Sequence, residues 1–152
     1  MKISKMNSIP MDEWQTPSYL FDILKTQYHF QFDCCATAEN RKCALYSDDL
    51  ESLDSIPIMA WMNPPYSIAW KMFEQYFSIV KKGVAIYRCD NMETALWQKV
   101  IFPNADWIFI PDRRISYEGI DGTGVRFPSA LIGLGVNVPK DLSGTVVMVE
   151  PR

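Results

Sequence analysis

The chain has 152 residues, of which 48% are hydrophobic, 22% charged and 13% aromatic. This length and apolar content fit one globular domain with its own core and exclude a disordered chain. The net charge of −3 excludes an overall basic nucleic-acid wrapper, but not a local basic patch.

The first five residues, Met1-Lys2-Ile3-Ser4-Lys5, lack the apolar run of a secretory signal. Thr16-Pro17 reads as a helix start, with Thr16 as cap and Pro17 at the first helical position. Leu20, Phe21, Ile23, Leu24 and Tyr28 follow at helical spacing. Residues 30–36 predict a short strand ending near the acidic Asp33, and residues 43–46 a second. Residues 48–52 have turn composition. Residues 56–62 predict a buried strand that runs into Asn63-Pro64-Pro65-Tyr66. A helix is expected over 67–80, with Ile68, Met72, Phe73, Tyr76, Phe77 and Val80 on one side. A strand is expected at 84–87, a helix at 92–101 and a strand at 107–110. Residues 115–117 and 125–127 flank a Gly-rich turn and predict a hairpin. Late strands are expected at 130–134 and 145–149. Strands alternating with helices predict an α/β fold with a mostly parallel sheet, helices on both faces and antiparallel strands near the C-terminus. No repeat or long linker divides residues 1–152, so one domain is expected.

The cysteines are Cys34, Cys35, Cys43 and Cys89. They lack the paired spacing of a zinc site, and the lone His29 adds no second ligand, so no metal is expected. They read as buried thiols in a reducing cytosol. No stretch approaches the about 18 apolar residues of a membrane span.

Asn63-Pro64-Pro65-Tyr66 carries the most specific chemistry. In a parallel α/β sheet, ligands bind beyond the carboxyl ends of the strands, and Asn63 directly follows one. The tetrapeptide suits a planar amino group that must become a nucleophile. Such an amine shares its lone pair with the ring and attacks poorly. Two acceptors on its N–H bonds draw it toward tetrahedral geometry and stabilise the charge that develops. Asn63 Oδ1 supplies one acceptor and the Pro64 carbonyl the other. Neither proline has an N–H, and both have fixed φ, so the loop is stiff and free of competing donors. Tyr66 can stack on a flat base. An isolated Pro-Pro would read only as the end of a strand.

These residues and their flanks resemble the phage-type DNA N6-adenine methyltransferases of the Dam-like family. The matching stretches run in order over most of the chain: Asp12-Glu13-Trp14-Gln15-Thr16-Pro17, Asp33-Cys34-Cys35-Ala36, Asn40 with Tyr46 and Asp48-Asp49-Leu50, Asn63-Pro64-Pro65-Tyr66-Ser67, Arg88-Cys89-Asp90, Arg114-Ile115-Ser116-Tyr117 and Phe127-Pro128-Ser129-Ala130-Leu131. The resemblance implies a Rossmann-like methyltransferase fold, S-adenosylmethionine as donor and adenine in DNA as acceptor. It also implies a cytoplasmic enzyme, phage- or prophage-encoded in a bacterial host. Trp14, Thr16 and Pro17 would lie beside the donor's amino-acid end. Asp33, with Cys34 and Ala36 after it, would take a donor hydroxyl or ammonium as a charge-assisted acceptor. Asp48 or Asp49 would take the donor's adenine amine. Read without the resemblance, Thr16 is a helix cap, Asp48-Asp49 a turn and Asp33 an exposed strand-end charge. The sequence departs from the common D-x-F-x-G-x-G loop: no glycine follows Asp33, so this loop must have another shape.

An adenine inside a duplex cannot reach such a site and must be flipped, at a cost of a few kcal/mol. Residues 80–127 hold seven of the fifteen basic side chains: Lys81, Lys82, Arg88, Lys99, Arg113, Arg114 and Arg126. Arg113, Arg114 and Arg126 flank the expected hairpin and could touch backbone or groove, or form ordinary surface ion pairs. Arg88 is placed near the target base or the donor, and Ser67 at the DNA. With no separate target-recognition domain expected, site reading falls to loops, the hairpin or a second subunit, so specificity is short-site or relaxed. The apolar excess allows a homodimer face without requiring one. Two other readings stay open: a methyltransferase acting on RNA guanine or protein glutamine, and a non-catalytic DNA-binding relative.

Overall fold

The computed structural model describes residue 12, residues 14–118 and residues 124–150. Helix α1, Ser18–Tyr28, starts after Pro17. Thr16 does not cap it. Pro17 itself is the capping residue, and its carbonyl accepts the N–H of Leu20 and of Phe21. The helix ends at His29, which takes a left-handed φ of 55° and donates its N–H to the Lys25 carbonyl.

The strands are β1 Phe32–Asp33, β2 Leu45–Tyr46, β3 Ala60–Met62, β4 Gly83–Arg88, β5 Trp107–Pro111, β6 Ile115–Glu118, β7 Gly124–Phe127, β8 Ser129–Leu134 and β9 Gly144–Met148. Seven form one sheet in the order β2-β1-β3-β4-β8-β5-β9. β2, β1, β3 and β4 pair in parallel, β8 opposes both β4 and β5, and β9 opposes β5. Five strands therefore share one direction and two late strands run against them, in the Rossmann-like α/β arrangement expected. β6 and β7 pair as the separate antiparallel hairpin, whose turn at 119–123 lies outside the described residues.

Five elements differ from expectation. The strands expected at 30–36 and 43–46 pair over only two residues each, Phe32–Asp33 and Leu45–Tyr46. The strand expected at 56–62 is reduced to three residues, with Ile56 making only an isolated bridge to Val80. Pro57 has no N–H for the ladder, so pairing restarts beyond it. The helix expected from residue 67 opens with a 3-10 turn, Tyr66–Ile68, before α2, Ala69–Ile79. The helix expected at 92–101 is a π-helix, Leu96–Ile101, followed by one turn of α3, Phe102–Asn104. Pro103 in that turn cannot donate to the preceding ladder.

Alternate strand residues feed two cores. Ala60, Met62, Ala85, Ile108, Ala130 and Ile132 face α2 and the π-helix. Trp61, Val84, Ile86, Trp107, Phe109 and Leu131 face α1 and the hairpin residues Ile115, Tyr117 and Phe127. Helices thus cover both faces. Gly133 of β8 marks the tightest contact. A Cβ there would lie 1.9 Å from the Trp107 ring. That ring is 1% exposed, and its Nε1 donates to the Val136 carbonyl at 2.8 Å, so it cannot yield. Gly133→Ala is expected to cost about 3 kcal/mol as overpacking. Calorimetry should show a midpoint lower by roughly 5–10 °C; an unchanged midpoint would mean that Trp107 has room to move.

Candidate active site

The parallel strands bring four carboxyl ends to one edge. Asp33 ends β1, Asp48 and Asp49 follow β2, Asn63 follows β3 and Arg88 ends β4. A cavity of about 810 Å³ opens there. Of the residues singled out from the sequence, it is lined by Trp14, Thr16, Asp33, Cys34, Ala36, Asp48, Asp49, Asn63 and Pro65. Pro17, Pro64 and Tyr66 stand outside its wall. The lining also includes residues given no role from sequence, among them Asp12, Gln15, Glu39, Asn40, Lys42, Glu51 and Glu118. Asp12, Asp33, Glu39, Asp48, Asp49, Glu51 and Glu118 set seven carboxylates around this space against one cation, Lys42.

Asp33 is 3% exposed, so it is not an exposed strand-end charge. Its Oδ1 accepts the Cys35 N–H at 3.4 Å and its Oδ2 the Lys42 N–H at 2.9 Å. Burial pushes its carboxyl up to about 6, against the pull of those two N–H bonds and of the Lys42 charge. The same carboxylate explains how the loop after β1 forms without glycine. It ties both ends of the loop, while Asn40 Oδ1 accepts the Thr37 N–H at 2.7 Å and Ser47 carbonyl the Ala36 N–H at 2.9 Å. Among the described residues, His29 alone combines a positive φ with a side chain, so the loop uses ordinary backbone angles.

Thr16 is fully buried, and its Oγ1 has no hydrogen-bond partner among the described residues. A hydroxyl without a partner costs free energy until a ligand group satisfies it. Burial pushes the Cys35 and Cys43 thiols up to about 12 and Cys34 well above its usual range, which disfavours their thiolate forms at neutral pH. No cluster of metal-ligating side chains occurs among the described residues. No helix among them is long and apolar enough to cross a membrane.

Asn63 is held from outside its own loop. Its Nδ2 donates to the Trp14 carbonyl at 3.3 Å. That bond assigns the donor end of the amide to Trp14 and leaves Oδ1 as the end free to accept. Pro64 is buried and Pro65 precedes the 3-10 turn, its carbonyl accepting the Ile68 N–H at 3.3 Å. Tyr66 is half-buried in an aromatic group, 5.5 Å from the Tyr87 ring and 5.7 Å from that of Phe127. Arg88 lies 4.6 Å from the Phe127 centroid and 5.7 Å from that of Tyr66. One edge of its guanidinium is engaged by Asp90, with Nε and Nη2 donating at 2.8 and 2.6 Å. This bidentate pair holds Asp90 below the usual carboxylate range.

The remaining cations are scattered. Arg113 is 82% exposed beside Asp112, and Arg114 is exposed on the approach to β6. The side chain of Arg126 lies outside what is described. Ser67 binds protein: its N–H donates to Asp12 Oδ1 at 2.9 Å, and its Oγ donates to Asp12 Oδ2.

The profile described as "DNA N-6-adenine-methyltransferase (Dam)" matches residues 3–129. The chain belongs to this family. The Dam match spans the Asp33 loop, the Asn63 loop and the hairpin, so the cavity lies wholly within the matched region. Comparison with curated proteins gives no match. Among solved structures, the chain is similar to a "putative RNA methyltransferase" from Pyrococcus horikoshii, with 12% identity and a TM-score of 0.43. That alignment covers 78% of this chain, and the chain spans 57% of the length of the other protein.

Proposed function

We propose that this Dam-family methyltransferase moves a methyl group from S-adenosylmethionine to the N6 amine of adenine in DNA. One observation carries the reading. The Asn63 amide, at the end of a parallel strand, is fixed by Trp14 so that its oxygen is the free acceptor beside an acidic cavity.

When bound, S-adenosylmethionine supplies an electrophilic methyl on a cationic sulfonium. The cavity residues fit that donor. Its carboxylates favour a cation over a neutral molecule. The orphaned Thr16 Oγ1 is available to a polar group of the donor, beside Trp14. Asp33 would accept a donor hydroxyl or ammonium, close to Cys34 and Ala36, and Asp48 or Asp49 the adenine amine. Lys42 stands ready for a carboxylate.

On the acceptor side, Asn63 Oδ1 and the Pro64 carbonyl would hold the two N6 protons and keep the lone pair directed outward. Asn63 is neutral, so the extra proton passes to water only after the methyl has bonded to nitrogen. Tyr66 would stack on the flipped base, returning roughly 1–3 kcal/mol of the unstacking cost. The acidic cavity repels phosphate, so the duplex would approach along Arg88, Arg113, Arg114 and Arg126. DNA binding should therefore weaken as salt rises. Recognition within residues 1–152 would rest on the hairpin and loops, which favours a short or relaxed site.

Incubation with labelled donor and defined plasmid DNA, followed by mapping of modified adenines, tests the reading. Methyl transfer to RNA or a glutamine peptide but not to DNA would replace the acceptor. Failure to bind the donor by calorimetry, with and without DNA, would leave a binding protein.

A further inference from the structure

The sequence assigns the first residues to the donor alone, yet three contacts tie Asp12, Trp14 and Gln15 to other parts of the site. The Asp12 carboxylate takes both the N–H and the Oγ of Ser67, one residue beyond Tyr66. The Trp14 carbonyl takes the Asn63 amide. Gln15 and Glu118 exchange backbone N–H bonds at 2.8 Å each, forming an antiparallel bridge to β6 of the hairpin. Hydrogen bonding to Ser67 also holds the Asp12 carboxyl below its usual value, so the clasp is charge-assisted at neutral pH.

We propose that Asp12 and residues 14–16 act as a strap that positions the Asn63 amide, with Asp12 as its positioning residue and Ser67 as the catch. The strap joins the acceptor loop and the hairpin at the wall of the donor cavity. An amide held by one bond through a single carbonyl can rotate unless that carbonyl is itself anchored. Here it is anchored on both sides, at Asp12 two residues before it and at Gln15 one residue after it. Ser67 is then a protein contact rather than a DNA contact. Its effect on turnover rests on the function proposed above, whereas its effect on geometry does not.

The test uses Ser67→Ala, Asp12→Asn and their combination in the full chain. With labelled donor and DNA, Ser67→Ala should lower kcat about tenfold and leave KM for DNA within about twofold. The double variant should be no slower than either single one, because both break the same clasp. Ser67→Thr, which keeps the hydroxyl, should restore most of the rate. Nuclear magnetic resonance supplies the readout that needs no activity. In Ser67→Ala, the Asn63 side-chain amide resonances should shift, and the Gln15 and Glu118 amides should exchange with solvent about tenfold faster. Unchanged Asn63 resonances and unchanged exchange would overturn the strap. A raised KM for DNA at normal kcat would also overturn it, and return Ser67 to the DNA surface. A wild-type protein inactive on DNA would refute the proposed function, with the resonance data still deciding the strap.

Discussion

Asn63→Ala is expected to lower methyl transfer about a hundred- to a thousandfold, the usual loss when one preorganised hydrogen-bonding group leaves a site of developing charge. Donor affinity should change little, since Asn63 is one of many residues lining the cavity. The split follows from geometry. Asn63 gives its Nδ2 to Trp14, and in the proposed mechanism its Oδ1 would hold the acceptor amine, so its removal should be felt mainly when that amine gains charge. Asn63→Asp is the sharper control. It keeps an acceptor but sets a carboxylate against the Trp14 carbonyl, where the present bond is 3.3 Å. Its rate should fall between those of the parent and the Ala variant. Single-turnover transfer from labelled donor, with calorimetry for donor binding, measures both. Normal turnover in Asn63→Ala would remove the mechanism outright.

Asp33 carries the second large effect, and its sign can be worked through. Burial raises its folded-state carboxyl from 3.8 to about 6. The folded protein therefore holds an extra proton between about pH 4 and pH 6. Stability of the donor-free protein should fall as pH rises through that window, by roughly 3 kcal/mol from this group. If Asp33 accepts hydrogen bonds from the donor as a carboxylate, donor binding runs the opposite way. Affinity should be full above pH 7 and weaken about tenfold by pH 5, with proton release on binding near pH 6. Asp33→Asn should flatten both profiles and weaken donor binding at pH 8, where the parent is ionised. Calorimetry in buffers of different ionisation enthalpy measures the proton release. A donor affinity that stays flat from pH 5 to pH 8 would limit Asp33 to tying the loop through Cys35 and Lys42.

The two cases differ in how much of them the chain reveals by inspection. The chemistry of Asn63-Pro64-Pro65-Tyr66 lies in four adjacent residues, and its place after an apolar strand is itself a local pattern. The hairpin at 115–127 is equally plain, because alternation and a Gly-rich turn are short-range signals. Asp33 is visible as a residue but not as a state. Nothing within a few residues shows that it is 3% exposed or that it reaches Lys42 nine residues away. The missing glycine was legible as a departure, whereas the carboxylate-tied loop that replaces it was not. Thr16 shows the reverse. Its residue type fits a cap, yet it makes none, and its hydroxyl is left at the cavity wall. Pro57 and Pro103 carried a signal that could have shortened one strand and altered one helix, since a missing N–H is a property of the residue alone.

Arg88 and Asp90 sit two residues apart, but Phe127 closes over Arg88 from much later in the chain. Asp12 meets Ser67 across 55 residues of sequence, and Gln15 pairs directly with the much later Glu118 at the cavity wall. Periodicity and motif spacing see only neighbours along the chain, so they disclose the strands, the Asn63-Pro64-Pro65-Tyr66 tetrapeptide and the family. Which carboxylates converge, which hydroxyl is orphaned and which carbonyl orients Asn63 depend on parallel pairing of β1, β2, β3 and β4. That pairing stacks the strand ends at one edge, and only the folded chain brings those groups within bonding distance.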